Sequence, residues 1–174
     1  MLTVEELVQL GEITAEQEDE VVAGEHAAWG GVGEELEWAE KQRHVALRSA
    51  EGELVAIAGA LIAEVALESG ERFQVVGIGG VMVTASERGR GLVWPLLEAL
   101  LEIAAEMGPQ RAMLFCRPQL MALYEKFAFA EISAPVWARQ PQGKIEMPLC
   151  AMWRPLREGV RWPQGRVDVQ GLPF

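Results

Sequence analysis

RFQVVGIGGVMVTASERGRGLVWPLLEALLEIAAEM, residues 72–107, changes its hydrophobic period once, and the change divides it into three parts. Phe73 to Thr84 is an apolar, β-branched run of the kind that forms a strand. Ala85 to Gly91 is polar and rich in Arg and Gly, which marks a loop. From there Leu92, Leu96, Leu100, Ile103 and Met107 recur at steps of three and four residues and share one face of a helix. Pro95 fits only the first turn of that helix, where its missing N–H is no loss. The stretch therefore predicts strand, loop and helix in succession.

The chemistry lies in Arg88-Gly89-Arg90-Gly91-Leu92-Val93. The first N–H groups of a helix have no partners within it, and the peptide dipoles place partial positive charge at that end, so it receives phosphates. Gly89 and Gly91 let backbone approach an anion, and Arg88 and Arg90 add charge in an otherwise acidic chain. The same residues also suit a basic strand-to-helix turn with no ligand. Two familiar phosphate motifs are absent: there is no Gly-x-x-x-x-Gly-Lys-Ser/Thr run, and Gly77, Gly79 and Gly80 lie inside the apolar run rather than in the turn a dinucleotide fingerprint requires. Glycines within a strand mark a bulge or a close approach by another backbone or a ligand.

Strand, Arg-Gly-x-Gly loop and amphipathic helix together resemble the cofactor-binding motif of the GNAT superfamily of acyl-CoA-dependent N-acyltransferases, Gln/Arg-x-x-Gly-x-Gly/Ala. Arg88 and Gly91 match its first two anchors and Val93 departs from the third. RGRGLVWPLL and the preceding GVMV are similar to the same region of aminoglycoside 2'-N-acetyltransferases, which also carry Val there. The resemblance implies acetyl-CoA as acyl donor, held by strand amides at Val81, Met82 and Val83 along pantetheine and by loop amides of Arg88, Gly89, Arg90, Gly91, Leu92 and Val93 on the pyrophosphate.

At 174 residues the chain suits one domain, 1–174, with 154–174 a tail packed on it. The only long apolar run is interrupted by glycines and is shorter than the roughly 20 residues a spanning helix needs, so no membrane segment is expected. MLTVEELVQLGE has neither a basic region nor an unbroken apolar core, so a secretory signal is not expected, and the expected location is the cytoplasm. Cys116 and Cys150 have no metal-ligand spacing and read as reduced, buried small hydrophobes. His26 and His44 lack a helical zinc spacing, read as surface or partly buried residues, and no metal is expected. Fifteen basic against twenty-six acidic residues leave a net charge of −11, which argues against a general nucleic-acid surface and suits a cationic substrate.

In chain order, Met1 to Leu10 is either an edge strand or a short helix. Thr14 and Gln17 have the spacing of a capping box and open a helix to about Ala28. Gly30, Gly31 and Gly33 break the chain, and Glu34 to Lys41 reads as a second short helix. His44–Arg48, Glu53–Leu67 and the central strand form an antiparallel meander joined by turns at Ser49–Gly52 and Glu68–Glu71. Gly108-Pro109 stops the central helix, and Arg111–Cys116 becomes a strand parallel to the central one by a right-handed crossover. Pro118 opens a further helix with Leu120, Leu123 and Phe127 as its buried stripe. EISAPVWAR and KIEMPLCAMW supply two more strands, and Trp162, Val167, Val169 and Phe174 anchor the tail.

Tyr124 is the sole tyrosine. LMALYEKFAF resembles the second GNAT motif, in which a tyrosine lies near the thioester sulfur, and a phenol of pKa about 10 can protonate a departing thiolate. The resemblance to the aminoglycoside enzymes brings the chain end near the acceptor, which makes Asp168 and the terminal carboxylate of Phe174 candidates for binding a substrate amine. The strand position that carries a glutamate base in those enzymes falls on Gly79, so no base carries over; Glu25, Glu34, Glu35 and His44 stay open.

The expected fold is a GNAT-type α/β domain: a mixed, mostly antiparallel sheet of six or seven strands, one splayed parallel pair, and helices on both faces. The expected function is transfer of acetyl from acetyl-CoA to a primary amine of a small, cationic, aminoglycoside-like substrate in a ternary complex. The alternative is an acyl-CoA-binding regulatory or scaffold module without turnover. A homodimer in which the tail or an edge strand completes a neighbour's sheet is compatible with either.

Overall fold

Alternate residues of the apolar runs face two separate hydrophobic layers, and in a computed structural model of the chain these layers lie on opposite faces of one sheet. The structure describes residues 4–11, 13–22 and 35–174. The element order is β1 (Val4–Leu10), α1 (Ala15–Val22), β2 (Arg43–Ser49), β3 (Leu54–Leu67), β4 (Arg72–Val83), α2 (Val93–Glu106), β5 (Arg111–Cys116), α3 (Met121–Glu125), β6 (Ala130–Glu131), β7 (Val136–Gln140), β8 (Gly143–Glu146), β9 (Cys150–Pro155) and β10 (Val167–Val169). One-turn 3-10 helices at Ala85–Glu87 and Pro118–Leu120 precede α2 and α3.

The sheet runs β6-β9-β5-β4-β3-β10-β7-β8, with β2 and then β1 outside the first half of β3. One edge of β3 therefore serves two neighbours: Leu54 to Ala60 pair with β2, and Val65 to Leu67 pair with β10. Antiparallel pairing joins β2, β3 and β4 into the expected meander, and its turns carry Gly52 and Gly70 at positive φ. β4 and β5 are parallel, but their ladder covers only Val76 to Ile78 against Ala112 to Leu114.

On one face α2 buries Leu96, Leu97, Leu100, Ile103 and Ala104 against Val45, Ala58, Val76, Ile78 and Leu114. Each fully buried leucine contributes about 2 kcal/mol to holding the helix there. Phe174 packs on the other face among Leu61, Val75, Met113, Val167 and Val169, and Val21 of α1 packs against Ala46 and Ile57. The Thr14–Gln17 capping box forms in both directions: the Thr14 amide donates to Gln17 Oε1 (3.0 Å) and the Gln17 amide to Thr14 Oγ1 (3.2 Å).

Several sequence-based expectations are corrected. Among the described residues ten strands stand where six or seven were expected, and β10–β7 is a second parallel pair. EISAPVWAR and KIEMPLCAMW each split in two, because Pro135 and Pro148 cannot donate to a ladder. Residues 35–41 are not helical. The Glu37 amide donates to Gln140 Oε1 (2.9 Å) and the Ala39 amide to the Pro173 carbonyl (2.7 Å), and such tertiary bonds outweigh a helix too short to hold itself. Leu120 is exposed while Tyr124 is buried, so the stripe of α3 runs through Tyr124 and Phe127. The expected end of the first helix, the glycine break at 30–33, His26, Glu25 and Glu34 lie outside the described residues. Among the described residues no helix is long and apolar enough to cross a membrane.

Candidate active site

The loop between β4 and α2 takes its shape from two glycines. Gly89 (φ 81°) and Gly91 (φ 76°) adopt the left-handed conformation that side chains resist, and a Cβ on Gly89 would meet nothing within 4 Å. The loop at Gly89 is thus open on its outer side. Leu92 offers no side-chain cap to α2, and the first turn of α2 carries no acidic residue. The Trp94 amide turns back to the Gly91 carbonyl (3.1 Å), and Pro95 has no N–H to satisfy. The amides ahead of Trp94 and the positive end of a 14-residue helix therefore face the loop together. Arg88 Nε is fixed on the Val83 carbonyl (3.1 Å), and Arg90 pairs with the buried Glu87 (3.1 Å).

Beyond Ile78 the β4–β5 ladder ends, and β4 continues to Val83 paired to β3 alone. The peptide edge of Gly79 to Val83 that faces away from β3 is left to the gap between the splayed strands. Val81 and Val83 pack on the α2 side of the sheet. Trp94 at the start of α2 stacks on Phe127 just after α3, ring centroids 4.5 Å apart, which joins the loop to the helix that carries Tyr124. Tyr124 is 6 % exposed, sits edge-on to Phe129 (6.0 Å), and lies beside Cys116 at the end of β5. Burial, with the Cys116 thiol adding to it, pushes the Tyr124 phenol above its ordinary pKa, so it stays a proton donor throughout the working range.

The opposite face holds a trough. His44, Gly59 and Gly79 are direct partners across β2, β3 and β4, and the two glycines leave the middle of that row without side chains. The stem of Lys41 fills it: a Cβ on Gly59 would meet Lys41 Cβ at 2.7 Å and His44 Cδ2 at 2.9 Å. A Cβ on Gly79 would meet Lys41 Cε at 3.0 Å, Lys41 Nζ at 3.3 Å and the main-chain carbon of Phe174 at 2.7 Å. Lys41 Nζ donates to the Ala39 carbonyl (2.9 Å). Burial lowers its pKa to about 8 against the opposing pull of Glu18 on α1. His44 is buried, and its Nδ1 lies 2.6 Å from the Gly11 carbonyl; a carbonyl only accepts, so Nδ1 carries the proton and Nε2 the lone pair. Burial and the nearby Lys41 charge lower its pKa, although Gly11 and Glu18 work the other way.

The structure thus brings Val81–Val83, the Arg88–Val93 loop, Tyr124 and Phe174 around the end of the β4–β5 ladder, but it does not bring Asp168 there. Asp168 pairs with Ala66 of β3, seven residues along that strand from Gly59, roughly 23 Å at the usual rise. It bonds with Lys144 and with Arg166 (3.3 Å), whose hydrogen bonds and charges hold its carboxyl below the usual range although burial pushes it up. Cys116 is buried and Cys150 half-buried, both free, and burial pushes the Cys116 thiol up to about 12. Among the described residues no group of His, Cys, Asp and Glu could hold a metal ion.

A family model for the acetyltransferase (GNAT) domain matches residues 9–132, more than half of the sequence. The chain belongs to the GNAT acetyltransferase family. Its fold is also that of solved GNAT structures. A GNAT family N-acetyltransferase from Escherichia coli, in complex with CoA, is 18 % identical, covers 96 % of this chain and 94 % of its own, and superposes with a TM-score of 0.57. A GNAT superfamily phosphinothricin acetyltransferase from Sinorhizobium meliloti, in complex with AcCoA, is 16 % identical, with 95 % of each chain covered and a TM-score of 0.57. A curated relative, probable glucosamine 6-phosphate N-acetyltransferase 2 from Oryza sativa subsp. japonica, is 45 % identical over 51 residues, which are 29 % of this chain and 31 % of that one. The chain matches about a third of that relative's length.

Within this GNAT chain, sequence reasoning missed Lys41, which had been placed on a helix. The signal that pointed to it was the glycine pair. Counting outward from the Glu68–Glu71 turn sets Gly59 opposite Gly79, a gap in the sheet surface that some other side chain must fill.

Proposed function

We propose that this GNAT-family chain is an N-acetyltransferase that moves acetyl from acetyl-CoA to a primary amine of a small molecule, by direct attack within a ternary complex. The observation that carries the reading is the uncapped, acid-free start of α2, facing an open glycine loop at the point where β4 leaves β5. That arrangement suits a diphosphate followed by an extended amide-bearing arm: the Arg88–Val93 amides take the pyrophosphate and the free edge of Val81–Val83 pairs with the pantetheine. The E. coli and S. meliloti proteins, solved with CoA and AcCoA, support the choice of donor.

The amine attacks the thioester carbonyl, the C–S bond breaks, and Tyr124 gives its phenolic proton to the thiolate. A preorganised N–H at the strand gap stabilises the oxyanion. The acceptor enters from the face opposite α2, where Phe174 lines the approach. Its class is an amino sugar. A cationic, aminoglycoside-like amine fits the net charge of −11; the glucosamine 6-phosphate enzyme that is similar over 51 residues supports an amino sugar but not a positive charge, since its phosphate makes that sugar anionic.

Calorimetric titration of acetyl-CoA into the wild type and into an Arg88→Glu, Arg90→Glu variant tests the donor site. The expected result is a Kd on the order of 1 μM, about −8 kcal/mol, that collapses in the variant. Thiol release is then followed with a panel that includes an aminoglycoside and glucosamine 6-phosphate. Absence of binding by folded wild type overturns the reading; binding without thiol release favours an acyl-CoA-binding module without turnover.

A further inference from the structure

The strand position at which a carboxylate base is expected by resemblance is Gly79, and the structure explains why no longer side chain stands there. The volume is taken. A Cβ on Gly79 would fall 2.7 Å from the main chain of Phe174 and 3.0 Å from Lys41 Cε. We infer that Lys41 supplies the missing base: its amine, laid across the Gly59–Gly79 pair to the end of the β4–β5 ladder, takes the proton from the acceptor nitrogen. This inference rests on the acetyltransferase reading above and deepens it.

Three features place the amine for that task. The stem has one path, because Gly59 and Gly79 provide a slot and a Cβ at either would close it. Residues leading into it are pinned from two sides, by the Ala39 amide on the Pro173 carbonyl (2.7 Å) and the Gln42 amide on the Ala60 carbonyl (2.9 Å). One N–H of the head group is held by the Ala39 carbonyl, which fixes Nζ beside Gly79, the first residue of β4 past its pairing with β5. Burial lowers the amine's pKa to about 8, so near neutral pH a usable fraction is unprotonated.

Charged groups facing Lys41 are Glu18 from α1, which favours the ammonium, His44 from β2, whose own pKa the Lys41 charge helps to lower, and the carboxyl group of Phe174, whose carbon lies against the same Gly79 as Nζ. The strands beneath it contribute only Gly59 and Gly79. Reaction then balances as follows. The acceptor nitrogen bonds to the thioester carbon, the C–S bond breaks, the proton on nitrogen passes to the neutral Lys41 amine, and the thiolate takes the Tyr124 proton. Water returns a proton to the Tyr124 phenolate and accepts one from the Lys41 ammonium.

Lysine occurs only at positions 41, 126 and 144, so protein labelled with carbon-13 at lysine Cε gives three signals, and a Lys41→Arg sample identifies the one sought. Its titration is expected with a midpoint near 8. A midpoint at the ordinary lysine value overturns the inference without an acceptor being needed. Thiol release is measured in parallel from pH 6 to 10, with the most active acceptor of the panel, for wild type, Lys41→Met and Lys41→Arg. Methionine keeps the stem over Gly59, and arginine keeps the charge but cannot lose its proton. Both variants are expected to lose kcat by on the order of tenfold or more, to lose the rise of rate with pH, and to keep acetyl-CoA affinity within about twofold. Rescue by arginine, or an unchanged pH profile in Lys41→Met, overturns the base role while the acetyltransferase reading stands. Absence of thiol release from wild type with every amine overturns both.

Discussion

Phe174 lies with its ring against the bare α-carbon of Gly77, so close that a Cβ there would stand 2.5 Å from the ring's Cγ and 2.6 Å from Cδ2. The same ring is 5.3 Å from that of Phe115, which places it across β4 and β5 just before they separate. Gly77 is therefore a seat for the tail. Gly77→Ala is expected to destabilise the protein by about 1–3 kcal/mol through overpacking. Phe174→Ala alone leaves a cavity worth about 3 kcal/mol or more. The double variant is expected to be more stable than the sum of the two losses, since the smaller residue relieves the clash of the larger one; chemical denaturation of all four proteins measures the coupling. Strict additivity would refute the seat.

Gly89 makes the opposite case. Its φ of 81° disfavours any side chain, yet among the described residues a Cβ there would meet nothing within 4 Å. Gly89→Ala is expected to lower stability by only about 1 kcal/mol. Its larger effect is expected on acetyl-CoA, because relaxing that φ turns the loop amides away from a bound phosphate. Calorimetry should show a Kd raised by on the order of tenfold. Unchanged affinity would remove the loop from the donor site.

Asp168 is held by Lys144 and Arg166 at the tail's own strand, and its lowered pKa carries a sign. A depressed carboxyl stabilises the fold above its unfolded pKa, and that contribution is lost as the pH falls through the folded value. Asp168→Asn is expected to lower stability at pH 7 by about 0.5–1 kcal/mol, given the partial exposure of the group. The difference from wild type should fade in acid. No effect on acceptor KM is expected; a large rise in KM would return Asp168 to the acceptor site.

The fold was legible where period and punctuation agree. The run from Phe73 to Met107, the turns ending at Gly52 and Gly70, and the Thr14–Gln17 box act through local geometry, and local geometry is written in neighbouring residues. The segment before Lys41 was illegible for the converse reason. Its amides bond to Gln140 and Pro173, partners more than a hundred residues away, and no helical pattern among Glu35, Leu36 and Trp38 can report them. β10 and its parallel pairing with β7 depend likewise on a tail returning to β3. In the candidate site, glycine and arginine spacing marked the loop proposed for the donor. The proposed acceptor side draws on Lys41, just before β2, and on His44, Gly59 and Gly79 of three neighbouring strands.

Tyr124 is buried, with its ring edge-on to Phe129 and the Cys116 thiol beside it. Tyr124→Phe keeps the ring and removes only the donor. Its kcat is expected to fall by on the order of tenfold or more, with acetyl-CoA affinity and the thermal midpoint almost unchanged. Because the phenol titrates above its ordinary value, any loss of rate between pH 8 and pH 10 in wild type must come from another group. A kcat within about twofold of wild type would end the assignment.

Lys41, like Asp168, makes stability rise with pH, but by relieving a penalty rather than by adding a favourable pairing. Its folded pKa is about 8 and its unfolded value 10.5, so between these the unfolded chain holds a proton that the folded chain has released. Stability rises with pH wherever the unfolded state binds more protons. The Lys41 contribution is therefore most unfavourable below pH 8 and disappears above about pH 10.5. Cys116 runs the other way at higher pH: its thiol is pushed up to about 12, so alkali favours unfolding. The difference between wild type and Lys41→Met isolates the lysine. Denaturation midpoints are expected to favour Lys41→Met most at pH 6 to 7, with the advantage shrinking steadily towards pH 10. An advantage independent of pH would mean that the amine is solvated and ordinary in the folded protein.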